Sequence, residues 1–140
     1  MTDIEHDART KKDYTTTYVY NNKGRVIQKT DPADISTVYI WGYGGLYPVA
    51  EVVGARLIDV ISNVSGLAGI VSFSLPGALS DSQVGALQGL GDTTVWEYAP
   101  LVGLTKETTP DGRSTSYTYN ASGKLHQVLD DLGRKTAAYL

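Results

Sequence analysis

The sequence predicts a mainly β fold with a small α-containing insert (α+β), an antiparallel meander of short β-hairpins. Three observations predict it. The first is an internal repeat: residues 18–34 (YVYNNKGRVIQKTDPAD) and 117–133 (YTYNASGKLHQVLDDLG) lie 99 positions apart. Tyr18/Tyr117, Tyr20/Tyr119, Asn21/Asn120, Gly24/Gly123, Gln28/Gln127 and Asp31/Asp130 are identical, and Arg25/Lys124 and Val26/Leu125 are conservative matches. A unit used more than once buries surface by stacking on its neighbours. The second is the aromatic bias, ten Tyr against two Trp and one Phe. Tyrosine suits half-buried sheet faces, where the ring packs and the hydroxyl stays wet. The third is punctuation: fifteen Gly and five Pro mark many turns.

The elements follow in order. Residues 1–13 read as a polar, loosely ordered lead-in. Residues 14–140 read as one repeat-like domain with an insert at about 42–93. Thr15 to Tyr20 is rich in β-branched and aromatic residues and predicts a strand. Asn21-Asn22-Lys23-Gly24 is a turn, because Asn and Gly tolerate positive φ. Arg25 to Thr30 returns as a strand, and Asp31-Pro32-Ala33-Asp34 turns again. Ile35 to Trp41 is a third strand with Thr37, Tyr39 and Trp41 on one face.

Within the insert, Gly42 to Gly45 is a loop and Tyr47 to Val53 has strand character. Leu57 and Ile61, four apart, predict a short helix over Arg56 to Ile61. Val71, Phe73 and Leu75 alternate with Ser72 and Ser74, which predicts a strand. Ser80-Asp81-Ser82-Gln83 has the form of a capping box before Val84, Leu87 and Leu90, so a helix is expected over 81–90 with Gly91 as its stop. Strands then resume over Thr94 to Tyr98, Leu104 to Thr108, Ser114 to Tyr119 and Lys124 to Leu129, with a last one ending at Tyr139. Pro110-Asp111-Gly112, Asn120 to Gly123 and Asp130 to Gly133 are the turns between them.

The hydrophobic share of 41% and charged share of 19% fit a folded chain of one domain. A net charge of −3 offers no electrostatic footprint for nucleic acid. There is no cysteine, so disulfides and thiolate metal sites are excluded. Residues 60–80 are uncharged but are interrupted by Ser, Asn, Gly and Pro, too often for a membrane span. No signal peptide is visible in the polar first 17 residues.

These residues resemble the RHS/YD-repeat family. Its pattern runs roughly Tyr-x-Tyr-Asp-x-x-Gly-Arg-Leu, four variable residues, then Asp-Pro-x-Gly. Tyr18, Tyr20, Gly24, Arg25, Val26, Asp31 and Pro32 match it, as do Tyr117, Tyr119, Gly123, Leu125, Asp130 and Gly133. A degenerate third copy runs from Trp96 and Tyr98 through Gly103 to Pro110-Asp111-Gly112. The stretches Trp41 to Val52 and Tyr98 to Gly103 are similar to RHS-repeat proteins of the Bacteroidetes. Asn21 and Asn120 stand in place of the signature Asp, Asp34 in place of the turn glycine, and Lys124 in place of Arg. The resemblance implies a β-hairpin ribbon that in large members spirals into a shell around cargo, and in extracellular relatives serves adhesion. On that basis the chain is expected to be a segment of such a wall, extracellular or at the cell surface as part of a longer exported protein.

Catalytic chemistry finds little footing. His6 lies in the lead-in, and His126 occupies the strand position of Ile27. No nucleophile elbow, phosphate loop or dinucleotide fingerprint is present. Asp31, Asp34, Asp111, Asp130 and Asp131 sit at repeat turns, where Asp bonds its own backbone. No enzyme activity, catalytic residue, cofactor or metal is expected. The binding candidates are Trp41, Tyr43, Tyr47 and Trp96, which could stack on sugar rings or simply form the cross-strand ladder of the sheet. Expected partners are neighbouring repeats or other copies of the chain in a homo-oligomer, because strand edges are left open. Carbohydrate is the other expected partner.

Overall fold

A computed structural model of the chain describes residues 15–138. The polar lead-in and Tyr139 lie outside the described residues. Among the described residues nine strands form one antiparallel sheet in strict sequence order: β1 (Thr17–Tyr20), β2 (Val26–Thr30), β3 (Ser36–Gly42), β4 (Tyr47–Val53), β5 (Asp92–Ala99), β6 (Gly103–Thr108), β7 (Ser114–Tyr119), β8 (Leu125–Leu129) and β9 (Lys135–Ala138). Two short helices, α1 (Leu57–Asn63) and α2 (Asp81–Gln88), lie between β4 and β5. The fold is the mainly β meander with a small α insert that the repeat and the turns predict.

The two repeat copies take the same geometry. Asn21 Oδ1 accepts the backbone N–H groups of Lys23 (2.9 Å) and Arg25 (3.0 Å). Asn120 Oδ1 does the same for Ser122 (2.9 Å) and Lys124 (3.1 Å). Asp31 and Asp130 hold the next turns identically, each Oδ1 accepting from the residues two and four further on. A short side chain thus closes the turn from within, as Asx turns do. The fourth turn residue has positive φ at Gly24 (80°), Gly112 (87°), Gly123 (79°) and Gly133 (79°), and at Asp34 (66°), where a side chain bears that conformation without glycine's freedom.

A further regularity was hidden in the sequence. In four strand pairs, β1–β2, β3–β4, β5–β6 and β7–β8, one residue of the returning strand is left without a cross-strand partner: Ile27 facing Val19/Tyr20, Val49 facing Ile40/Trp41, Thr105 facing Glu97/Tyr98 and His126 facing Thr118/Tyr119; a fifth, Thr136 facing Val128/Leu129, lies on β9 away from these ends. These are β-bulges. They reveal four equivalent hairpin ends, at Tyr20, Trp41, Tyr98 and Tyr119. The sequence shows the first and last clearly and the third in degenerate form. The second is disguised by the Tyr43–Gly45 3-10 turn and by Tyr47-Pro48.

Strand β3 buries Ser36, Val38, Ile40 and Gly42 and leaves Thr37, Tyr39 and Trp41 half-buried, the period of two expected of a half-covered strand. Val38, Ile40, Ala50 and Val52 share the inner face with Val95. The segment between Val53 and Asp92 folds back over this face. Val60, Val64, Leu67, Ile70, Leu75 and Leu87 complete the core. The Gln28 side chain accepts the Leu57 N–H (2.7 Å), satisfying an open donor at the start of α1. Ser80 and Gln83 form the expected reciprocal cap of α2.

Two expectations are corrected. Val71, Phe73 and Leu75 form no strand; the segment is a series of turns. It is anchored by isolated backbone bonds: Asn22 N–H to the Val71 carbonyl (2.9 Å), Leu75 N–H to the Trp41 carbonyl (3.0 Å) and Gly44 N–H to the Leu75 carbonyl (3.0 Å). The alternation reflects Leu75 turning into the core while Val71 and Phe73 stay exposed. Helix α2 stops at Gln88 with Gly89 as its cap, and Gly91 serves another purpose. A Cβ on Gly91 would collide with the Val53 carbonyl at 2.5 Å, so glycine lets the returning chain pass close to the departing strand.

Candidate binding surface

The outer face of the sheet, opposite the insert, carries the aromatic residues. Strand alternation places Tyr18 and Tyr20, Tyr39 and Trp41, Trp96 and Tyr98, and Tyr117 and Tyr119 there in pairs. The second member of each pair, at the bulge, follows one rule. Trp41 Nε1–H donates to the Val26 carbonyl (2.8 Å), Tyr98 Oη–H to the Pro48 carbonyl (2.8 Å) and Tyr119 Oη–H to the Leu104 carbonyl (2.6 Å). Val26, Pro48 and Leu104 are the residues that face the preceding aromatic, Tyr20, Trp41 and Tyr98. Each hairpin therefore clasps the one before it through an aromatic donor and a backbone acceptor. A side chain that is mostly ring packs on the sheet and still satisfies its polar atom.

The four candidate aromatics are placed as follows. Trp41 is half-buried, with the Arg25 guanidinium 5.2 Å from its ring centre, within cation–π range. Arg25 is held there by a bond from its Nε to the Gly45 carbonyl (2.6 Å). Tyr43 and Tyr47 join Tyr98 in a three-ring cluster. Tyr47 stacks on Tyr98 at 4.3 Å and 13°, and Tyr43 meets both edge-on. The Tyr43 hydroxyl accepts the Tyr98 N–H (3.0 Å) and the Tyr47 hydroxyl accepts the Leu101 N–H (2.9 Å). This cluster ties the strands on either side of the insert. Trp96 stands apart from them, its Nε1–H bonded to Glu107 Oε2 (2.8 Å) on β6. The structure thus brings Tyr43 and Tyr47 together and commits the polar atom of all four residues to the protein itself. Tyr98, which the sequence places in the third repeat copy but not among the binding candidates, is the centre of the cluster; its place at a hairpin end was the available signal.

A shallow apolar depression lies on the outer face between Val26, Tyr39, Trp41 and Pro48. Burial raises the Tyr39 hydroxyl pKa above the ordinary tyrosine value, with Glu51 adding to it. Burial likewise raises Tyr98, reinforced by Tyr43 and Tyr47, and raises Tyr117, reinforced by Glu107. These hydroxyls stay protonated donors at neutral pH.

Carboxylates are used locally. The Thr109 hydroxyl, ahead of the Arg113 N–H, holds the Asp111 carboxyl below the usual range. The Arg134 N–H does so first for Asp130, aided by the Arg134 guanidinium at 2.8 Å. Asp34 pairs with Arg56 at 3.2 Å, both side chains well exposed. His126 is exposed on β8, while Ile27 at the equivalent bulge is buried; His6 lies outside the described residues. Among the described residues no group of three or more His, Asp or Glu side chains is placed to hold a metal ion, and no helix is long and apolar enough to cross a membrane.

The periodic turns, bulges and clasps define a β-hairpin repeat. Comparison with known families is in keeping with this: the family model for the RHS Repeat matches residues 102–137, which span β6 through β8 and most of β9. No curated protein matches the chain.

Proposed function

We propose that this chain is a non-catalytic structural and interaction segment of an RHS-type cell-surface or secreted protein, its hairpins forming part of a β-sheet wall or adhesive surface. The observation that carries the reading is the clasp. It recurs at Trp41, Tyr98 and Tyr119, two of which serve hairpins outside or at the margin of the family match. A device repeated from one hairpin to the next joins units to units. The partners are neighbouring repeats, or other copies of the chain joined at open strand edges into a homo-oligomer. Light scattering at rising concentration distinguishes a chain that self-associates from one that does not.

The test is additive. In an array, each added unit contributes its own stability and one more interface. Inserting a duplicate of residues 117–138 after Ala138 raises the thermal midpoint and steepens the denaturant dependence. An unchanged or lowered midpoint overturns the reading.

A second reading, carbohydrate recognition by the aromatic face, draws on the depression beside Trp41. Glycan-array binding that Trp41→Ala abolishes, with Tyr43, Tyr47 and Trp96 probed in turn, would support it.

A further inference from the structure

Three of the four hairpin-end aromatics reach back to a carbonyl of the strand before them: β3 to β2, β5 to β4, β7 to β6. The fourth is Tyr20 on β1, the first strand of the sheet. Its hydroxyl has no acceptor among the described residues. Tyr18 and Tyr20 are 48% and 53% exposed, while the equivalent Tyr39 and Trp41, Trp96 and Tyr98, and Tyr117 and Tyr119 are all half-buried. All four residues of β1 are exposed, and Thr17-Tyr18-Val19-Tyr20 carries no charge or proline. Open edges that stay unpaired are ordinarily blunted by such residues, and this one is not.

We propose that the outer edge of β1 is a docking edge for an antiparallel strand of a neighbouring repeat unit, of the type that β2, β4 and β6 represent. The incoming strand lies on β1 as β6 lies on β7. Its backbone completes the ladder, and the carbonyl at its Leu104-equivalent position takes the Tyr20 hydroxyl. The pairing in the occupied cases fixes the register: Lys106 faces Ser116, Glu107 faces Thr115, Thr108 faces Ser114, and Tyr119 bonds the Leu104 carbonyl. Backbone bonds supply affinity in such strand additions, and the clasp supplies the register. The proposal rests on the repeat reading above but fails separately from it. A duplicated C-terminal unit can stabilise the chain even if β1 takes no strand.

The experiment is a nuclear magnetic resonance titration of the isotope-labelled full chain with a peptide of sequence VGLTKETT, residues 102–109. Saturable shifts confined to Thr17–Tyr20 and the adjoining β2 amides are expected, with none for a scrambled peptide. Tyr20→Phe, which leaves an exposed ring in place, should weaken binding about three- to ten-fold, the worth of one hydrogen bond. Tyr18→Phe should leave it unchanged. No shifts at β1 would overturn the proposal, as would shifts that Tyr20→Phe does not alter. Shifts that grow with protein concentration alone would assign the edge to a second copy instead. Binding seen only after removal of residues 1–14 would mean the edge is already occupied. Either result overturns it.

Discussion

The two halves of the sheet share one hairpin design and differ in how they are covered. Strands β2 to β5 put Val38, Ile40, Ala50 and Val52 under the insert, where Val60, Leu67 and Leu87 are also completely buried. Among the described residues nothing covers strands β6 to β9, and from Trp96 to Thr136 no residue is fully buried. Their inner face carries Lys106, Thr108, Ser114, Ser116 and Gln127, and their outer face carries Leu104, Tyr117, Tyr119 and Leu125. The first half has a core in the usual sense; the second is a ribbon held by its ladder, turns and clasps. Hydrophobic burial and periodic hydrogen bonding therefore contribute in different proportions along one sheet.

The largest test of that contrast is matched truncation. Leu87→Ala empties a fully buried site and should cost about 2–5 kcal/mol, whereas Leu125→Ala, half-buried on the ribbon, should cost about 1 kcal/mol. Chemical denaturation checks both, and equal losses would mean the ribbon depends on burial as much as the covered half.

Next comes the clasp, which the halves share. Tyr98→Phe and Tyr119→Phe each remove one hydroxyl donor and keep the ring, and each should cost about 1 kcal/mol. Unequal losses in the same assay would show that the insert modifies the hairpin joint.

A smaller effect is expected at Asp34, which holds the left-handed turn position that glycine fills in four other turns of this kind. Asp34→Gly should raise stability by about 0.5 kcal/mol, because the relief of strain exceeds the loss of an exposed pair with Arg56. A lowered midpoint would reverse that ranking.

The smallest effect is local and pH-dependent. The Asp130 carboxyl is held below its ordinary range, so its contribution is present above that range and is lost as pH falls through it toward the folded value. Asn120 makes the same turn with a side chain that does not titrate. Acidification should therefore speed hydrogen exchange at Leu132 and Arg134 and spare Ser122 and Lys124. Equal loosening of both turns would remove the carboxylate as the cause.

Much of this architecture was legible because turns and strand faces are local. Tyr18-Tyr20, Tyr117-Tyr119 and the Asn and Asp turn residues announced the hairpins, and Ser80 with Gln83 announced a helix. The binding candidates were legible only as residue types. That Tyr43 and Tyr47 gather around Tyr98 depends on a pairing of β4 with β5 across the whole insert. No local pattern encodes that closure. The strand expected at Val71 to Leu75 failed for a related reason: alternation over five residues describes a strand and a series of turns equally well until a neighbouring strand is or is not there to pair.

The unpaired residues Ile27, Val49, Thr105 and His126 have a geometric consequence. Each lies on the returning strand of its hairpin, beside the hairpin-end aromatic, so each lengthens the same side of the sheet by one residue. An extra residue kinks its strand and sharpens the local twist. Kinks repeated with the same sense do not cancel; they accumulate into curvature, as unequal arc lengths make a strip coil. A ribbon extended by more such hairpins would wind rather than spread flat, its radius set by one residue per hairpin. The chemistry of each bulge residue follows its cover, apolar where Ile27 and Val49 are buried and polar where His126 is exposed, while its presence in the count of residues shapes the wall.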